Sequence, residues 1–276
     1  MKPPSNWPWQ RKSIQHLLLA ALCVTWTGFT FNSDITLTHF LIVTITTIFL
    51  VLFVYGFDDV MDSEVTLAYF KIPSVRWLGI SSIACTFLTF FTLGWTSFIS
   101  ALLILFIGTL YSFRHDRDHF NIRLKSFFIL KNFLIGVGWG LLVFLGSDHF
   151  SLESVFVTFL FFTLQVTIGS VIRDLDDIEE DRRNKVATFP IVLGVEKTAY
   201  ALHGINLLSA ATLYLGSILV PELKALWLMW VLIVIYRFGL IEVIRRKNMS
   251  SILLQQFNIL ACSLVFVGRM TQLWIF

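Results

Sequence analysis

Long apolar runs almost free of charge recur from one end of this chain to the other, and they decide what it can fold into. A bilayer core of about 30 Å takes roughly 20 apolar residues per helical crossing, because a helix or closed barrel satisfies its own backbone groups without water. Nine runs approach that length: Ser13 to Phe31, Ile35 to Phe57, Trp77 to Gly94, Thr96 to Phe113, Ser126 to Gly146, Leu152 to Ile172, Ala199 to Val220, Ala225 to Ile244 and Ile252 to Gly268. With 56% of the 276 residues hydrophobic and 14% charged, no stretch is left over for a soluble domain. The expectation is an all-α polytopic membrane protein, a bundle of nine transmembrane helices forming one domain over residues 1–276.

The connecting segments give an orientation, since Lys and Arg collect in cytoplasmic loops close to the spans. Lys2, Arg11 and Lys12 belong to the N-terminus, and Lys71 and Arg76 follow the second run. Arg114, Arg117, Arg123 and Lys125 follow the fourth, Arg182, Arg183, Lys185 and Lys197 the sixth, and Arg245, Arg246 and Lys247 the eighth. The opposite loops hold only Lys224. The N-terminus is therefore expected in the cytoplasm and the C-terminus outside. The first run is longer than a signal-peptide core and no small-residue cleavage site follows it. With no transit-like N-terminus, the bacterial inner membrane is the expected location. The net charge of +3 then reflects topology and gives no reason to expect nucleic acid as a partner. Cys23, Cys85 and Cys262 lie inside runs without CxxC spacing, which reads as helix packing and not as a disulfide framework or a zinc site.

Against this background stands Arg173 to Gly194, RDLDDIEEDRRNKVATFPIVLG. Asp174, Asp177 and Asp181 are three and four residues apart, which on a helix stacks them on one face, while Asp176, Glu179 and Glu180 point elsewhere. A second cluster, VYGFDDVMD, closes the second run, with Asp58 and Asp62 four apart. Either cluster alone reads as a solvated helix end. Two of them at the same membrane face, in a chain with 18 acids, argue for a site that gathers cations. Carboxylates suit hard ions, and Mg²⁺ is usually held by a few of them together with substrate phosphates and water. Bases stand nearby: Lys71, Arg76, Arg123, Lys125 and Lys131. Acids, bases and phosphate together describe a diphosphate site. Lys131 points to it most clearly, because an ammonium inside a span is costly unless it faces a polar cavity. No EF-hand, Walker or Rossmann pattern is present, and Gly136, Gly138 and Gly140 read as close helix packing or a kink.

These residues resemble the UbiA superfamily of intramembrane prenyltransferases, whose members have nine helices and two aspartate motifs, NDxxDxxxD after helix two and DxxDxxxD after helix six. Asp174-Leu-Asp-Asp177-Ile-Glu-Glu-Asp181 matches the second motif in full, and Thr188-Phe-Pro190-Ile-Val-Leu193-Gly194 is similar to the T-L-P-x-x-L-G tail. Tyr111, the Arg123 and Lys125 pair, and Lys131-Asn132 match further family positions. The first motif departs, with Val54 in place of Asn and Tyr55 where Asp is frequent, and K-P-x-R-P survives loosely as Lys71-Ile-Pro73-Ser-Val-Arg76. The likeness spans the chain in topology and about a quarter of it in motifs, and assigns no subfamily.

The resemblance implies transfer of a prenyl group from an isoprenyl diphosphate to an acceptor, with Mg²⁺ held by Asp58, Asp62, Asp174, Asp177 and Asp181. It implies substrate contacts from Lys71, Arg76, Tyr111, Arg123, Lys125, Lys131 and Asn132, with the isoprenoid tail between helices, open to lipid. Tyr111, Phe133 and Trp139 are candidates for aromatic walls facing the carbocation. A same-fold terpene cyclase, a polyprenyl-phosphate phosphoribosyltransferase, a non-catalytic scaffold and a cation transporter are the alternatives. A transporter would be expected to bury acids near the midplane, whereas the acids here sit near a membrane surface except Glu242.

Overall fold

The computed structural model describes residues 12–29, 36–62, 73–112, 127–147, 152–176, 178–183, 186–220, 223 and 227–246. Among them every regular element is helical: α1 (Lys12–Gly28), α2 (Leu37–Asp62), α3 (Pro73–Leu93), α4 (Trp95–Ser112), α5 (Phe128–Leu145), α6 (Leu152–Asp176), α7 (Ile178–Arg183), α8 (Phe189–Leu193), α9 (Val195–Leu219) and α10 (Trp227–Arg245). The first eight apolar runs reappear as α1 to α6, α9 and α10, and the ninth lies outside the described residues. Among the described residues, six helices are long and apolar enough to cross a membrane: Leu37–Asp58, Val75–Leu93, Trp95–Ser112, Phe128–Leu145, Glu153–Leu175 and Val195–Leu219. Helices α2 and α6 run past the end of their apolar stretches, so Asp58, Asp62 and Asp174 stand on helix and not on loop.

The chain forms two compact units, one of Met1–Leu124 with Leu141–His149, the other of Lys125–Gly140 with Phe150–Phe276. In the first, small and hydroxyl residues let helices approach closely and bond across the contact, as lipid-embedded helices do where apolar burial gives no advantage over lipid. Thr25 and Thr47 pair at 3.2 Å between α1 and α2, and Trp26 Nε1 donates to Thr44 at 3.1 Å. Ser82 of α3 donates to the Phe49 carbonyl of α2 at 2.9 Å. Ser97 and Ser100 of α4 reach the Leu145 and Leu141 carbonyls at 3.2 and 2.6 Å. Gly28 and Gly146 touch backbone to backbone, since a Cβ on either would overlap a carbonyl of the other helix. Between α3 and α4 the chain reverses at Gly94, whose φ of 88° only glycine adopts without strain.

The second unit is centred on α6. Gln165 Nε2 donates to Asn206 Oδ1 at 2.9 Å and to Ser209 Oγ at 2.7 Å, and Asn206 Nδ2 donates to the Val234 carbonyl at 2.9 Å, so one buried polar set ties α6, α9 and α10 together. Trp230 of α10 stacks on Phe161 of α6 with centroids 5.0 Å apart. Nearer the acidic end, Ile168, Val171, Ile172, Ala199, Leu202, Leu240 and Ile241 make an apolar cluster among the same three helices.

Candidate active site

Helices α5 and α6 meet through glycines. A Cβ on Gly136 would overlap Thr163 and Thr167, and one on Gly140 would overlap Thr163 and Phe159, so the close-packing role expected of this glycine run holds at these two positions. Gly138 has nothing within 4 Å of such an atom. On α6 the same stripe continues from Thr163 and Thr167 to Ser170 and Asp174, in steps of three and four that keep one face.

That stripe ends in a buried polar chain. Asn132 of α5 is fully buried; its Oδ1 accepts from Ser170 Oγ at 2.5 Å and its Nδ2 donates to Asp174 Oδ2 at 2.9 Å. Lys131 Nζ lies 2.7 Å from Asp174 Oδ1, with side-chain exposures of 16% for the lysine and 7% for the aspartate. Both carboxylate oxygens of Asp174 are thus held, one by a charge-assisted bond, which is the condition for burying a carboxylate at tolerable cost. The ammonium one turn inside an apolar run has the polar surroundings its position requires. Ser170 and Thr167 belong to neither aspartate motif, and the sequence signal for them is their helical spacing from Asp174.

Beyond Asp176, α7 carries Asp181, which is partly buried. Arg182 and Arg183 are exposed and turn to Glu179, at 3.5 Å from its carboxylate and 3.2 Å from its carbonyl. The tail from Thr188 to Gly194 folds as the single turn α8, with Pro190 buried and Gly194 closing it at a φ of 79°. Phe189 places its ring edge-on to Phe128 at 4.8 Å, which docks α8 against the start of α5 beside Lys131.

In the first unit Asp58 and Tyr111 are partly buried at the ends of α2 and α4, Arg76 is exposed on α3, and Asp62 is described in its backbone alone. Lys71, Arg123, Lys125 and Asp177 lie outside the described residues. Among the described residues, no three His, Cys, Asp or Glu side chains gather as a metal-holding group. Of the aromatic candidates, Trp139 is partly buried, and Phe133 is 47% exposed in a shallow apolar recess with Phe127, Phe128, Ile129 and Leu130. A charged residue that the count of loop charges passed over is Arg237, inside the eighth run. Its Nη2 lies 3.4 Å from where a Cβ of Gly169 would stand, an ordinary contact distance that seats the guanidinium against α6.

The sequence model of the UbiA prenyltransferase family matches residues 17–260. The chain belongs to the UbiA prenyltransferase family. Solved UbiA homologues share the fold: one from Archaeoglobus fulgidus bound to GPP and Mg²⁺ superposes with a TM-score of 0.72 at 14% identity, over 92% of this chain and 94% of that one. The Archaeoglobus fulgidus homologue bound to DMAPP and Mg²⁺ gives 0.68 at 16% identity, with the same coverage. The apo homologue from Aeropyrum pernix K1 gives 0.67 at 15% identity, over 94% of this chain and 98% of that one. No curated protein sequence matches the chain significantly. Family membership together with the six apolar helices makes this UbiA protein a polytopic integral membrane protein.

Proposed function

We propose that this UbiA family member transfers an isoprenyl group from an isoprenyl diphosphate to an acceptor, at a site on the cytoplasmic face of a nine-helix bundle. The observation that carries the reading is Lys131, an ammonium held inside an apolar run by buried Asp174, directly below the acid-rich end of α6. The solved homologues bound to GPP or DMAPP with Mg²⁺ support the same substrate class. The donor set also suits Mg²⁺, because Asp58, Asp62, Asp174, Asp177 and Asp181 offer carboxylate oxygens alone, and the metal's ligands would be drawn from these five.

Bound Mg²⁺ would supply Lewis-acid stabilisation of charge building on the diphosphate. The chain's own cations, Lys131 with Lys71, Arg76, Arg123 and Lys125, would hold the diphosphate oxygens and share that charge as the allylic C–O bond breaks with its electron pair leaving on oxygen. Asn132 and Tyr111 complete the proposed set of substrate-binding residues. The acceptor atom then bonds to the allylic carbon and gives up its proton, and the apolar helices keep water from competing for the cation.

The test compares three aspartates in one motif. Asp177→Ala and Asp181→Ala should each lower turnover by orders of magnitude, on the scale seen when charge-stabilising groups are removed from active sites. Asp176→Ala, off that face, should retain most of it. Equal losses at Asp176 and Asp177 would remove the helical acid face from the reaction.

A further inference from the structure

We infer that Asp174 is a positioning residue and not a metal ligand: with Asn132 and Ser170 it fixes the Lys131 ammonium where the diphosphate arrives. This deepens the proposed function and rests on it. Asp174 Oδ1 already has a cation at 2.7 Å and Oδ2 already accepts the Asn132 amide at 2.9 Å. A second cation on Oδ1 would face the ammonium across a single atom, in surroundings where like charges are poorly screened. Mg²⁺ also keeps several of its waters. A ligand for a hydrated ion has to face the open side of a site, whereas the Asp174 side chain is 7% exposed.

The orientation of the set is determined on both sides. Asn132 donates to a carboxylate, which can only accept, so its amide oxygen must be the atom that takes the Ser170 hydroxyl. Thr167 keeps to its own helix, donating to the Thr163 carbonyl at 2.7 Å, and its oxygen is 3.5 Å from the Asn132 carbonyl. Ser170 therefore locks Asn132, Asn132 and Lys131 lock Asp174, and Asp174 takes one of the three donors of Lys131 and leaves its direction fixed. On this assignment the ion pair lowers the cost of an ammonium within the apolar run, and the metal's ligands come from the remaining acids of the two motifs.

The experiment uses the purified full-length protein in detergent, with Mn²⁺ binding followed by electron paramagnetic resonance and metal-free binding of inorganic pyrophosphate followed by calorimetry. Asp174→Asn should leave Mn²⁺ affinity unchanged and weaken pyrophosphate, whereas Asp181→Asn should weaken Mn²⁺ by about tenfold or more, at least what the loss of a residue supporting a metal ligand costs. Ser170→Ala, a mild change that keeps the fold within reach, should weaken pyrophosphate without touching Mn²⁺, and Ser170→Thr should restore it. An equal loss of Mn²⁺ affinity in Asp174→Asn and Asp181→Asn would overturn the inference and leave the proposed function standing. Unchanged pyrophosphate affinity in both Asp174→Asn and Ser170→Ala would also overturn it. A wild-type protein that binds no Mn²⁺ would remove the metal reading itself, and this inference with it.

Discussion

The methyl groups of Val54 rest on Gly108 of α4: a Cβ built on that glycine would come 2.5 Å from Val54 Cγ2 and 2.8 Å from Cγ1. An Asn here, as in the family motif, would lie one turn before Asp58 on the same face and could add an amide oxygen to a metal site. The position instead serves helix packing. Val54→Asn should therefore cost about 1–3 kcal/mol of stability, for a polar group pressed against a contact that offers no side-chain partner. It should leave the Mg²⁺ concentration for half-maximal turnover unchanged. Thermal melting and a Mg²⁺ titration check both, and a lowered metal requirement would show that residue 54 faces the site. The identity of Val54 was legible in the sequence, but its contact was not, because nothing local announces that a glycine 54 positions later stands opposite. The Lys131–Asp174 pair was legible in part. The cost of a lone ammonium in an apolar run pointed to a polar partner, yet which carboxylate would meet it depended on the α5–α6 approach.

Among the elements, that approach is the contact that brings Lys131 and Asn132 to Asp174, and it rests on particular glycines. Gly140→Ala would push a methyl into Thr163 and to 2.9 Å from the Phe159 ring and carbonyl. Overpacking of this kind costs about 1–3 kcal/mol, and the strain would spread along α5 to Lys131 and Asn132. Gly138→Ala meets nothing within 4 Å and should be neutral or stabilising by up to about 1 kcal/mol from helix propensity. Melting curves of the two variants separate the positions, and equal destabilisation would mean that the glycines act through backbone freedom and not through contact. Apolar run length placed the described long helices to within a few residues, because the bilayer sets their length from outside the chain. It missed α7 and α8, which span six and five residues and are too short to show a period. It also ended α2 and α6 too early, since a helix does not stop where the apolar surface stops. Arg237 escaped for a related reason: one charge does not break an apolar run, and the surface it packs on, at Gly169 of α6, belongs to a different helix.

At the scale of the whole molecule, the uneven distribution of Lys and Arg among the loops and the family match over residues 17–260 bear on a single claim, that of a Mg²⁺-dependent prenyl-transfer site opening toward the cytoplasm. The proposed sidedness can be tested because a diphosphate does not cross a bilayer unaided, its charge being too costly to bury. The most direct measurement supplies radiolabelled isoprenyl diphosphates of graded length, Mg²⁺ and a panel of acceptors to sealed membrane vesicles of known orientation. Inside-out vesicles carrying the protein should move label from the diphosphate into an apolar product, and EDTA should abolish the transfer. Right-side-out vesicles should leave the diphosphate intact until they are permeabilised. Transfer that persists in EDTA, or that occurs in intact right-side-out vesicles, would contradict the account.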